Sequence, residues 1–529
     1  MTTTCRRARR TVLGAALTWG LAATAADANT LRWAFQGDVL TLDPYAHTES
    51  FTSSFLHHLY EPLVRRDANL DFEPALAVSW EVVEPTRVRF TLREGVTFHN
   101  GNPFTADDVV ASIERLLHPD ARARGNLAAV TAAEKVDDYT VDLVTDGPYP
   151  LLLNDLSGVF IMDREWLEAN DALEPGNMTT GTVTYASDHA NGTGPFVLES
   201  RQPDARTVLT ANPDWWDEPI HNLERIEFTP IGSDATRVAA LLSGEIDVMY
   251  PAPLQDVERL EAAQGVTPLQ NPSLRTIMFG LNHGDDELHA MPGSGENPTA
   301  DVRVRRALWH AIDMDAIQAR VMRGKSRNAG LIIAPQITGY VEELDVVPDH
   351  DPELARELLA EAGYPDGFSM GLDCPNDRYV NDEEICVAVA GMWSQIGVDV
   401  QLTAQTRSNH FAKVDRGETD AYMIGWATLP AMDGFSPLRA LLASRTDGWG
   451  GNNPNGFSNA TVDRLARSAA AEIDEPARVA MLAEAMAIAR AEVAYIPLHQ
   501  QPLSWAVRDG VNVIQFPDNY FRAWHYTMD

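Results

Sequence analysis

The chain has 529 residues, 45% of them hydrophobic and 22% charged. That is more than one hydrophobic core usually serves, so two or more lobes are expected and a disordered chain is excluded. Lys and Arg number 41 against 76 Asp and Glu, and the formal charge of −35 argues against nucleic acid or an anionic membrane surface as a partner.

Arg6, Arg7, Arg9 and Arg10 precede an apolar stretch from Val12 to Ala23, too short to span a bilayer and of the size of an export signal. Ala26-Asp-Ala28 places small residues where a signal peptidase reads, so the mature chain is expected to begin at Asn29. The Arg9-Arg10 pair leaves twin-arginine export open beside the ordinary secretory route. No cysteine lies near the cleavage point and no later run offers eighteen uninterrupted apolar residues, so a soluble protein outside the cytoplasmic membrane is expected.

Further along, Thr86-Arg-Val-Arg-Phe-Thr-Leu92 alternates as a strand. Thr105-Ala-Asp-Asp108 reads as an N-cap with acids in the first turn, leading into a helix through Leu117. Val304, Ala307, Leu308, Ala311 and Ile312 recur at helical spacing, as do Leu358, Leu359 and Ala362 before Gly363, a C-terminal stop. A helical tract from Thr461 to about Ala494 should break near Asp474-Glu-Pro476. Strands interleaved with helices over the whole length indicate α/β lobes. Cys374 and Cys386 would both lie in an oxidising compartment. They could pair, or stay as two buried thiols.

Signs of catalysis are weak. Gly367-Phe-Ser-Met-Gly371 has the spacing of a nucleophile elbow around Ser369, but a helix stop and a turn precede it and the strand follows, the reverse of what an elbow needs. His-Glu-x-x-His is absent, and Gly324-Lys-Ser326 lacks the earlier glycine of a phosphate-cradling loop. His57 and His58 with Glu61, or His283, are conceivable metal ligands, but adjacent histidines diverge on a helix or a strand. His99, beside Asn100-Gly101, belongs to a turn. No metal and no cofactor is expected.

Leu42-Asp-Pro-Tyr45, Leu59-Tyr-Glu-Pro-Leu-Val64, Pro74-Ala-Leu-Ala-Val-Ser-Trp80 and the block from Phe90 to Val110 resemble the N-terminal signature of the dipeptide/oligopeptide class of ABC-transporter solute-binding proteins. Gly192-Thr-Gly-Pro-Phe196, Asn212-Pro-Asp-Trp-Trp216, Ser243-Gly-Glu-Ile-Asp247, Val302 to Leu308 and Ala362 to Phe368 continue the resemblance in the same order. It implies a type II periplasmic-binding-protein-like α/β fold: two main lobes joined by a hinge, plus an inserted domain. Lobe I would use 29–71, 190–275 and 506–529, the insertion 72–189, and lobe III 276–505, with one hinge strand near Phe279-Gly-Leu-Asn282. The implied function is capture of a peptide or peptide-like solute between lobes I and III and its delivery, intact, to ABC permease subunits and their ATPases. The resemblance further implies a periplasmic monomer that is not an enzyme.

A trapped peptide brings an ammonium and a carboxylate, each needing a partner because stranding an ion costs several kcal/mol. By resemblance, Arg378 in Pro375-Asn-Asp-Arg-Tyr-Val-Asn-Asp382 is the carboxylate clamp, with Tyr379 beside it; the alternative is a surface arginine paired with Asp377 or Asp382. Asp433, the single acid of Gly425-Trp-Ala-Thr-Leu-Pro-Ala-Met-Asp-Gly-Phe-Ser-Pro437, takes the ammonium. Trp426 walls the pocket, and Asn282 and Tyr45 add polar contacts. Opines, glutathione-like conjugates, metallophores and haem remain alternative solutes.

Overall fold

The computed structural model describes residues 29–529 except 128, 179, 377, 430, 447 and 448. The expected leader and its cleavage point at Ala28 lie outside the described residues. Among those, no helix is long and apolar enough to cross a membrane.

The chain opens with β1 (Thr30–Phe35) and α1 (Ser50–Leu56), the latter capped by Glu49, whose carboxylate accepts the N–H groups of Phe51 and Thr52. A separate four-stranded antiparallel layer follows, formed by β2 (Ala77–Glu84), β3 (Arg87–Leu92), β4 (Val130–Asp137) and β5 (Thr140–Thr145) in the order β2-β3-β5-β4. Between β3 and β4 runs the helix Ala106–Leu117, whose Asp108 carboxylate accepts the Thr105 N–H and closes a capping box. The chain then returns to the first sheet with β6 (Phe196–Gln202), β7 (Arg206–Ala211), β8 (Arg225–Pro230) and β9 (Val248–Tyr250).

Two long strands join the halves of the molecule. They are β10 (Val266–Leu281) and, near the C-terminus, β14 (Tyr495–Arg508). Between them in sequence lie β11 (Phe368–Pro375), β12 (Val398–Gln405) and β13 (Ala421–Trp426). One eleven-stranded sheet results, with ten strands in the order β12-β11-β13-β10-β14-β9-β1-β8-β7-β6 and Arg327–Asn328 pairing on β14. At about 3.3 Å per residue a strand of this length reaches roughly 50 Å, enough to serve both lobes. The first lobe is built on β9-β1-β8-β7-β6, the second on β13-β11-β12.

The pairing of β10 with β14 slips between Pro272 and Thr276, where the two strands cross from one lobe to the other. A second shift lies between Ile277 and Met278, beside the expected hinge stretch Phe279–Asn282. Phe279, Gly280 and Leu281 are paired with β13 on one side, and Phe279 and Gly280 with β14 on the other, which leaves them no slack.

Packing follows the same division. One core joins the first lobe to the inserted layer: Trp33 stacks on Phe521 at 3.9 Å and lies in a continuous apolar cluster with Phe90, Phe104 and Leu143. A buried ion pair ties these parts together, with Arg115 gripping both oxygens of Asp43 at 2.6 Å. In the second lobe, alternate residues of β10 and β13 feed two cores, Ile277, Phe279 and Met423 on one face and Met278, Tyr422 and Ile424 on the other. The helices Val302–His310 and Pro352–Glu361 stand where their periodicity placed them. The tract after residue 460 divides into Ala460–Ala469 and Glu475–Ala491, the second capped by Asp474.

Candidate functional site

Where β10 and β14 cross between the lobes, a cleft of about 550 Å³ opens. The first lobe contributes Glu49, Asp234, Asp518 and Tyr520 to its walls. The second lobe contributes the turn Arg378–Asn381 together with Ala427 and Leu429, and the crossing itself supplies Ser273, Arg275 and Gln501. A smaller crevice of about 50 Å³ lies beside Glu61 and Trp215. Its carboxylate is already used: Glu61 accepts from Trp215, Trp216 and Thr193, and burial pushes it up to about 7.

The turn that carries Arg378 is held from four sides. A disulfide between Cys374, at the end of β11, and Cys386, in the helix Asp382–Gln395, closes the loop around it. The Asp382 carboxylate accepts the backbone N–H groups of Arg378 and Tyr379 at 3.0 and 2.9 Å. Gln501 on β14 accepts the Val380 N–H, and Asn381 donates to the Val321 carbonyl. Tyr379 is 8% exposed, its hydroxyl accepting the Gly425 N–H at 2.8 Å. A Cβ at position 425 would stand 2.7 Å from the Tyr379 ring, so glycine there lets the ring pack against β13.

Over this ring lie two guanidinium groups, Arg378 at 5.1 Å and Arg275 at 5.9 Å from its centre. Arg275 donates to the Gly425 carbonyl at 3.0 Å. Neither arginine has a carboxylate partner among the described residues; Asp382 meets the backbone of Arg378, not its side chain, and Asp377, the other alternative partner, lies outside the described residues. Burial first, then the field of Arg378, pushes Arg275 down to about 10, so it remains charged at neutral pH. The acids of the cleft are differently placed: Asp518 pairs with Arg522 at 2.6 Å, Asp234 pairs with Arg237, and Glu49 caps α1. The positive charge of the cleft is therefore the part left unanswered.

The structure moves four expected site residues out of this arrangement. Asp433 is 1% exposed and bound through both oxygens to Arg478 at 2.6 and 2.8 Å, so its charge is spent and no ammonium can reach it. Tyr45 is 2% exposed in the first core, donating to the Phe160 carbonyl. Asn282, 4% exposed, is occupied by Gly284, Asp285 and Asn297 at the end of β10. Trp426 packs against the second-lobe core with its indole N–H buried and unpartnered, and Ala427 and Leu429 line the wall instead. Arg275 was missing from the expected set. Its signal in the sequence is a lone cation in the run Ser273-Leu-Arg-Thr-Ile-Met-Phe-Gly-Leu281.

The candidate chemical groups are also placed. Ser369 sits on β11 and donates to Asp399. His58 hydrogen-bonds the Phe55 carbonyl and Ala523 N–H, and burial holds it down at about 4. His283 contacts the Ala494 carbonyl, and burial lowers it to about 3. His99 contacts the Gly194 carbonyl within its turn. Among the described residues no group of His, Cys, Asp or Glu could hold a metal ion.

Known proteins show the same architecture. The chain is 27% identical over 502 residues to "Heme-binding protein A" of Haemophilus influenzae, covering 89% of this chain and 87% of that protein. It is 28% identical over 442 residues to "Dipeptide-binding protein" of Escherichia coli, covering 78% and 79%. The solved "Structure of HbpA2 from Haemophilus parasuis" superimposes with a TM-score of 0.81 at 24% identity, over 95% of this chain and all of that one. The family described as "Bacterial extracellular solute-binding proteins, family 5 Middle" matches residues 71–449. The chain belongs to the bacterial extracellular solute-binding proteins of family 5.

Proposed function

We propose that this protein captures a peptide or peptide-like solute between its two lobes and delivers it intact to the permease and ATPase subunits of an ABC importer, working as a periplasmic monomer cleaved after Ala28. On this reading lobe I comprises 29–71, 190–275 and 506–529, the insertion 72–189 and lobe III 276–505. The slip of β10 between Pro272 and Thr276 supports a boundary near residue 276. Arg378 is the clamp. The observation that carries the reading is its guanidinium, held on a braced turn in the cleft without a carboxylate partner among the described residues. A charged pair made by the ligand's carboxylate satisfies both ions at once. Tyr379 keeps the clamp in place from below the cleft surface.

A second reading, an acidic non-peptide solute such as an opine, a glutathione-like conjugate, a metallophore or haem, is favoured by one observation. The second-lobe wall after Trp426 offers Ala427 and Leu429 to the cleft and no acid for an α-ammonium. The ammonium of a peptide would instead fall to Glu49 on the first lobe.

Native mass spectrometry of the purified protein tests the capture itself. The expected result is one intact, carboxylate-bearing solute per chain, and its loss from Arg378→Ala. A solute retained equally by Arg378→Ala, or one converted on the protein, contradicts the reading. A copurified solute with a free amine favours the peptide, and one without favours the second class.

A further inference from the structure

Recognition of one carboxylate needs one arginine, and the cleft holds two. Arg275 comes from the lobe crossing and Arg378 from the second-lobe turn, yet both converge on the ring of Tyr379. Placing two cations together in a partly desolvated site is unfavourable unless an anion answers them. Elsewhere around the cleft the protein supplies that answer itself: Arg522 has Asp518 and Arg237 has Asp234. Among the described residues it does so for neither Arg275 nor Arg378, in a chain with acids in large excess over bases. Arg378 and Tyr379 are the charged and titratable neighbours that act on Arg275, and among the described residues no carboxylate pairs with it. Among the described residues the Arg275 guanidinium makes one hydrogen bond to protein, to the Gly425 carbonyl, which uses a single N–H of its five donors.

We propose that Arg275 and Arg378 form a paired guanidinium subsite that selects solutes carrying two acid groups at the end held by the second lobe. Among peptides this means a chain ending in Asp or Glu, whose side-chain carboxylate sits beside the terminal one. The inference rests on the reading of Arg378 as the clamp and adds a second contact to it. Arg275 also ties solute to motion. Its N–H donates to Ser273 Oγ, which donates to the Gln501 carbonyl across the crossing strands. A carboxylate on Arg275 is thereby anchored at the register slip itself.

Calorimetric titration of the full mature protein with Ala-Glu and with Ala-Gln, which differ by one charge, tests this. The expected result is at least about tenfold tighter binding of Ala-Glu, the size of one charge-assisted hydrogen bond. Arg275→Gln should weaken Ala-Glu by about tenfold more than Ala-Gln and so abolish the preference, and Arg275→Lys should restore part of it. Equal affinity of the wild type for both dipeptides, or equal weakening of both by Arg275→Gln, overturns the inference and leaves the clamp reading standing. If neither dipeptide binds, the peptide reading fails, and the inference is read from thermal stabilisation of the wild type by glutarate against butyrate. A larger shift with glutarate supports it, and no difference overturns it.

Discussion

Asp433 shows how a charge can belong to the fold and not to the ligand. It and Arg478 are both almost fully buried, with two short hydrogen bonds between them. Removing one member of such a pair leaves the other uncompensated, which typically costs about 3–5 kcal/mol. Asp433→Ala should therefore lower the unfolding free energy by that amount in denaturant titrations, with ligand affinity little changed in the fraction that folds. Unchanged stability with lost binding would return Asp433 to the ligand site. In the sequence, Asp433 and Arg478 lie forty-five positions apart, and nothing local announces that they meet. Arg378 was named from the resemblance of its segment to a family motif, whereas Arg275 was hidden inside a strand whose alternation suggests packing alone.

Elements with local causes were the easiest to read. The helix after Thr105, the stop at Gly363 with its φ of +101°, and the break at Asp474 each follow from residues within one turn. The hinge was not local. Its slip arises from two strands, more than two hundred residues apart, that must serve two lobes at once, and the sequence of β10 carries no mark of where that happens. The disulfide acts at this same scale, since it closes the segment that presents Arg378. A bridge between residues separated by twelve positions is worth about 3 kcal/mol through the unfolded chain. Cys374→Ser with Cys386→Ser should lower stability by that order and weaken solute binding through a looser turn. Thiol counting of the unfolded, unreduced wild type should find no free cysteine in the mature chain, and two would contradict the pairing.

Across the whole molecule, the continuous sheet makes the lobes mechanically dependent. The inserted layer is part of this, because it shares a core with the first lobe and its Asn154 side chain, with Arg66, reaches the Ala431 carbonyl of the second. Contacts of that kind span the two lobes, so on the proposed reading solute capture and lobe approach would be linked events. The fold class was legible at this scale because it depends on the order of many motifs, but the ligand was not. The motifs identify scaffold corners, and the charges that choose the solute come from three separated segments. The most direct measurement is X-ray scattering of protein stripped of solute, then supplied with the solute that copurifies or with its carboxamide. The radius of gyration should fall with the free acid and stay unchanged with the amide. Equal compaction by both, or none with the acid, would contradict a cleft that closes on a carboxylate.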